Sequence, residues 1–176
     1  MRTACPDWDA LDSLIEGLCL HRGDAREPVS IAPLLEPCHT HYLPLPSPCN
    51  GFRLQVEANR SLVEVIGINA DLRTFQRSAQ LRVTQAHEWA HIWLRHEGRL
   101  FPMWGGSGDP LNTGSTARYE RVRQDRQADS VAAYVLVRRD ALREMGGHDS
   151  TYIARTLDVT ERLVEVRYTL LRDAGV

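Results

Sequence analysis

His87-Glu88-Trp89-Ala90-His91 sets two imidazoles four residues apart, with a carboxylate directly after the first. On a helix, positions i and i+4 share one face a turn apart, so both rings can reach a single divalent ion. Glu88 then stands beside that ion without occupying a ligand position. Zinc brings the pKa of bound water towards about 7, and Glu88 can take the proton as water attacks a peptide carbonyl. The chemistry expected of these residues is zinc-dependent peptide hydrolysis, with His87 and His91 as ligands and Glu88 as general base. A surface helix with two histidines and an incidental acid is the competing reading. Leu81, Val83, Thr84, Ala86, Ala90, Ile92, Trp93 and Leu94 speak against it by giving the helix apolar surface on several sides. Polar groups buried there without partners would be costly, and a metal satisfies them.

A catalytic zinc site needs a third protein ligand and an open fourth position. Asp125 and Asp129, also i and i+4, share a face that continues into Ala128, Ala132, Ala133 and Leu136. Small alanines allow this helix to pack closely on the His87 helix. Asp125 is the expected metal ligand. Asp129 is expected behind it, accepting the outer ring N–H of a ligating histidine. Ordinary helix pairing of these acids with Arg121, Arg123 and Arg126 is the alternative. Two imidazoles and one carboxylate favour zinc, although manganese or iron could use the same ligands.

The elements that must position these residues are legible in outline. The chain has 176 residues, 43% of them hydrophobic and 25% charged, which suits one domain with a single core. Net charge is −2 and the pI about 6.4, so nothing global favours nucleic acid or an acidic membrane. All 21 basic residues are arginine. MRTACPDWDALD lacks a basic stretch followed by an apolar one, no segment is long and apolar enough to span a bilayer, and a cytoplasmic protein is expected. Cys5, Cys19, Cys38 and Cys49 are accordingly expected as thiols.

Apolar spacing predicts a helix over 7–22, capped by Asp7 or Asp9 and ended by Gly23. Pro28, Pro33, Pro37, Pro44, Pro46 and Pro48 leave 23–51 irregular apart from a short turn near Ile31–Leu35. Strands are expected at Phe52–Val56 and Leu62–Asn69 around a turn at Asn59-Arg60-Ser61, the second covered on both faces. A helix from a Ser78 cap to about His96 is stopped by Gly98, and a Gly- and Pro-rich loop follows over 98–116. Helices are then expected over 117–137, 139–145 and about 150–156. Asp158-x-x-Glu161 suggests a capping box for a last helix ending near Asp173. The order implies an α+β domain: an N-terminal helix and Pro-rich segment (1–51), sheet, metal helices and loop (52–137), and C-terminal helices (138–176).

Three ordered blocks resemble the ImmA/IrrE family of metallopeptidases, from about Val65 to Arg167. Ile66-Gly67-Ile68-Asn69 with Leu81-Arg82-Val83-Thr84-Gln85-Ala86-His87-Glu88-Trp89-Ala90-His91 is similar to that family's strand ending in Asn and its metal helix. Asp125-Arg126-Gln127-Ala128-Asp129-Ser130-Val131-Ala132-Ala133-Tyr134-Val135-Leu136 resembles its third-ligand helix. Val159 to Arg167 resembles its closing helix. The resemblance implies a gluzincin-like core of a small sheet and helices, one zinc ion, and Asp125 as third ligand. It also implies a protein substrate, commonly a helix-turn-helix transcriptional repressor. The chain departs from the pattern at Asp125 (usually Glu), Trp89 (usually Gly), Val131 (usually Phe) and Arg138 (commonly Pro). Those departures motivate an alternative of another class: a metal-stabilised regulatory module that sequesters its partner without cutting it.

Other groups carry weaker expectations. Cys38, His39, His41 and Cys49 lack a clean metal-finger spacing. His96 is expected as a helix C-terminal cap or surface residue, rotated off the His91 face. Tyr119, Tyr134, Tyr152 and His148 are open candidates for stabilising an oxyanion, each more readily structural. Arg118, Arg121, Arg123 and Arg126 line one helix, where a solvated charged face outweighs docking of an acidic segment, and direct nucleic-acid binding is not expected.

Overall fold

The site helix lies between a three-stranded sheet on one side and a second long helix on the other. In this computed structural model the described residues are 6–58, 60–96 and 115–175. The elements run α1 (Trp8–Gly17), α2 (Ala32–Leu35), β1 (His39–Leu43), β2 (Gly51–Ala58) and β3 (Ser61–Asn69). Two 3-10 turns, Ala70–Arg73 and Phe75–Arg77, lead into α3 (Ser78–Trp93). The chain ends with α4 (Ser115–Leu136), α5 (Arg139–Glu144), α6 (Ser150–Leu157) and α7 (Glu161–Asp173). This is the expected α+β arrangement, mostly helical in its second half. Most of the 98–116 loop expected from sequence lies outside the described residues.

The strands are ordered β1-β3-β2, with β1 parallel and β2 antiparallel to the central β3. The parallel edge strand β1 corrects the reading of 23–51 as irregular outside one short turn. His39 pairs with Val65 and Leu43 with Asn69, so a partner about 26 residues away supplies the order that local sequence lacks. β3 departs from expectation in a second way. Ile66, Gly67, Ile68 and Asn69 are buried, whereas Leu62, at the hairpin end, is 66% exposed. Only the half of β3 that lies over the helices is covered on both faces.

Asp7, one of the two expected caps, accepts from the Ala10 amide, and α1 buries Leu11 and Ile15. The helix stops at Gly17 rather than near residue 22. Cys19 takes a positive φ of 56°, and the amides of Cys19 and Leu20 fold back onto Glu16 and Ile15. These are the 5→2 and 6→1 bonds of a Schellman ending. α6 ends the same way on Asp158 (φ 50°), with Val159 bonded to the Ala154 carbonyl. Asp158 therefore does not cap α7; Thr160 sits at that position without a side-chain cap. Asp158 instead accepts from the Ser78 hydroxyl at 2.7 Å. Ser78 is correspondingly the first residue of α3 and not its cap.

The core is continuous from α1 through α3 to α7. Ala86 and Ala90 of α3 and Ala128, Ala132 and Ala133 of α4 are at most 1% exposed. With only methyl groups at these positions, the two helices come close enough for short side chains to meet across them.

Candidate metal centre

β2 and β3 set the floor of the site. A Cβ on Gly51 would lie 2.8 Å from Thr84 Cγ2, 3.1 Å from the Gly67 carbonyl oxygen and 3.2 Å from Glu88 Cγ. The missing side chain is what lets the start of β2 press against α3 beside Glu88. Asn69 holds the segment leading into β2. Its Nδ2 donates to the Cys49 carbonyl at 3.1 Å, and its amide donates to the Asn50 carbonyl at 2.8 Å. Gly51→Ala is expected to destabilise the protein by about 1–3 kcal/mol, the usual range for overpacking. Denaturant unfolding measures it, and an unchanged midpoint would contradict the close approach.

α3 and α4 bring the predicted donors together. His87 Nε2 and His91 Nε2 are 3.1 Å apart, and His91 Nε2 lies 3.7 Å from Asp125 Oδ1. One donor atom from each of the three residues falls within 4.8 Å of the others. Two atoms held about 2.0–2.1 Å from one ion at a tetrahedral angle are about 3.3 Å apart, and the two shorter separations bracket that value. Asp125 is short by a methylene relative to the usual Glu, but the alanine-lined approach of α4 lets its carboxylate reach His91. Its side chain is 51% exposed, so the Asp125 side of the cluster opens to solvent.

The outer faces of the rings are occupied. His87 Nδ1 donates to Asp129 Oδ1 at 2.8 Å, so in the neutral ring it is Nε2, the nitrogen facing His91, that is bare. Asp129 is held in turn by Arg162 of α7, whose Nη2 donates to Oδ2 at 3.2 Å. His91 Nδ1 faces His96 Nδ1 at 2.9 Å. His96 is only 5% exposed, which corrects the expectation of a surface or capping residue. Helical spacing alone rotates residue 96 away from His91. α3, however, stops at Trp93, and the chain turns back through Arg95 at φ 52°. Arg162, Gln127 and His96 are the neighbours that sequence reasoning missed. Each meets the site through tertiary packing or an irregular turn, and no spacing rule encodes such contacts.

Burial sets the electrostatics. It lifts the Glu88 carboxyl to about 7, with Asp125 adding to the rise and His87 and Arg53 opposing it. Burial likewise pulls His91 down to about 3, helped by His87, His96 and Arg53. Burial also depresses His87, but the Asp129 hydrogen bond and the charges of Glu88, Asp129 and Asp125 outweigh it and leave its pKa raised. Burial raises Asp129, yet the bond to His87 and the charges of His87 and Arg162 hold it below the usual carboxylate range.

Three of the remaining oxyanion candidates are engaged with other partners, and Tyr119 is 72% exposed. Tyr134 donates to Asp12 at 2.8 Å and stacks on Trp8, and His148 stacks on Tyr152 at 4.1 Å, away from the cluster. Cys38, His39, His41 and Cys49 do not converge: among the described residues, His87, His91 and Asp125 form the single group of such side chains able to hold a metal. Among the described residues, no helix is long and apolar enough to cross a membrane.

A small sheet backs a helix with two facing imidazoles and a buried carboxyl, and the next helix adds an acid: a group that could hold a metal ion. The chain matches the model of the IrrE N-terminal-like domain, the M78 peptidases, over residues 38–169, and it belongs to that family. Family membership implies a peptidase acting on a protein substrate. No curated protein and no solved structure matches the chain.

Proposed function

We propose that this protein is a zinc-dependent endopeptidase that cuts a protein partner, a helix-turn-helix transcriptional repressor, in the cytoplasm. The observation that carries the reading is the convergence of the His87 and His91 Nε2 atoms with the Asp125 carboxylate. His91 Nε2 lies 3.1 Å from His87 Nε2 and 3.7 Å from Asp125 Oδ1, so three donor atoms of the types that bind divalent zinc surround one point. His87, His91 and Asp125 would hold one zinc ion per chain. When bound, the ion supplies Lewis acidity, making water easier to deprotonate and a carbonyl easier to attack.

The chain's own residues do the rest. Glu88, 9% exposed and next to His87 on α3, takes a proton from the attacking water as the new C–O bond forms. It returns that proton to the amine nitrogen as the C–N bond breaks. Asp129 fixes the His87 tautomer and ring orientation, and Arg162 steadies Asp129. The repressor as substrate is supported by the three family-like blocks between Val65 and Arg167.

The zinc-loaded protein, incubated with any helix-turn-helix repressor found encoded beside its gene, is expected to produce discrete fragments. Glu88→Gln is expected to bind the same repressor and leave it whole. Wild-type protein that binds zinc and repressor but yields no fragments would instead favour the sequestering module.

A further inference from the structure

The C-terminal turn of α3 is built to return a third histidine to the centre. The His96 amide bonds the His91 carbonyl at 3.0 Å, and the Arg95 amide bonds the Ile92 carbonyl at 3.0 Å. This is the Schellman pattern, in which the residue two past the cap lies over the residue three before it. Those positions are His96 and His91. Where the motif ordinarily carries an apolar contact, this chain places two imidazole nitrogens 2.9 Å apart.

The turn is clamped from the sheet. Arg53 of β2, buried and paired with Glu64 through two bonds of 2.9 Å, donates through Nη1 to the His91 carbonyl at 3.3 Å and to the His96 carbonyl. On its far edge, His96 Nε2 faces Gln127 Oε1 at 3.3 Å, two residues along α4 from both Asp125 and Asp129.

We propose that His96 is a positioning residue for the metal centre, a neutral imidazole that fixes the tautomer of His91; the inference rests on the metal reading above. The proton arrangement follows from the donors. A ligating His91 must present a bare Nε2, so its proton sits on Nδ1. That N–H can be satisfied by His96 Nδ1 only if His96 carries its own proton on Nε2. The Nε2–H donates to Gln127 Oε1. The relay runs from Gln127 through His96 to His91, as Arg162 and Asp129 serve His87. One ligand is thus backed by a carboxylate and the other by a neutral ring.

Three measurements on the full chain test this. In long-range proton–nitrogen NMR spectra of the zinc-loaded wild type, His96 is expected as the Nε2–H tautomer and His91 as the Nδ1–H tautomer. His96 protonated at Nδ1 would overturn the proposal without any substitution. In zinc competition against a chelator, His96→Leu is expected to lower affinity by about 10–100-fold, the usual loss when a partner behind a ligand is removed. His96→Asn, whose amide oxygen can stand where Nδ1 stood, is expected to recover affinity to within a few-fold of wild type. Affinity for His96→Leu equal to that of wild type, in protein with an unchanged metal-free circular dichroism spectrum, would also overturn it. Wild type that binds no zinc would instead sink the metal reading itself.

Discussion

Glu88→Gln is expected to lower peptide hydrolysis by at least about 10²–10⁴-fold, the usual worth of a positioned general base, while leaving zinc binding intact. Gln preserves shape and polarity at the buried position beside Gly51 but can neither take nor return a proton. The same substitution carries a second signature in the metal-free chain. Burial lifts the Glu88 carboxyl from its ordinary 4.5 to about 7, so the folded state holds a proton that the unfolded state releases. For a group raised in this way, stability is fully present below about pH 4.5 and is lost as pH rises through 7. A displacement from 4.5 to about 7 is worth on the order of 3 kcal/mol once the carboxylate is ionised, or roughly 5–10 °C in thermal midpoint for a chain of this size. His91, depressed to about 3, contributes the opposite slope at lower pH, but wild type and variant share it. Metal-free Glu88→Gln should therefore match wild type near pH 4 and exceed it by a widening margin to pH 8. Parallel curves across that range would contradict the buried, near-neutral carboxyl.

Zinc itself is expected to have the other large effect. A ligand at 1,000 times its dissociation constant stabilises the native state by about 4 kcal/mol. The gain should reverse on chelation. His87→Ala, His91→Ala and Asp125→Ala each remove one converging donor, and each should abolish or sharply reduce the shift. Asp129→Ala should retain a weakened response, since it acts on His87 from behind. A zinc shift of full size in Asp125→Ala would remove Asp125 from the site.

The local part of this site could be read from sequence. Residues four apart on a helix meet whatever surrounds them, so His87 with His91 and Asp125 with Asp129 follow from spacing, and the alanines of α4 signal a close approach. What sequence missed has one recurrent cause. Helices α1, α3 and α6 end on Cys19, Arg95 and Asp158 at positive φ, where a glycine usually marks the stop. With no glycine there, α1 reads on towards Gly23 and α3 towards Gly98, and His96 falls on the wrong face. The prolines around β1 hide a strand whose order comes from β3, and Arg162 reaches Asp129 only because α7 packs on α4.

The most direct test is a crystal of the zinc-loaded protein measured at the zinc absorption edge. One anomalous peak per chain is expected within about 2.0–2.2 Å of His87 Nε2, His91 Nε2 and an Asp125 carboxylate oxygen, with Glu88 uncoordinated. A peak bonded elsewhere, or one that leaves Asp125 remote from the two rings, would contradict the account.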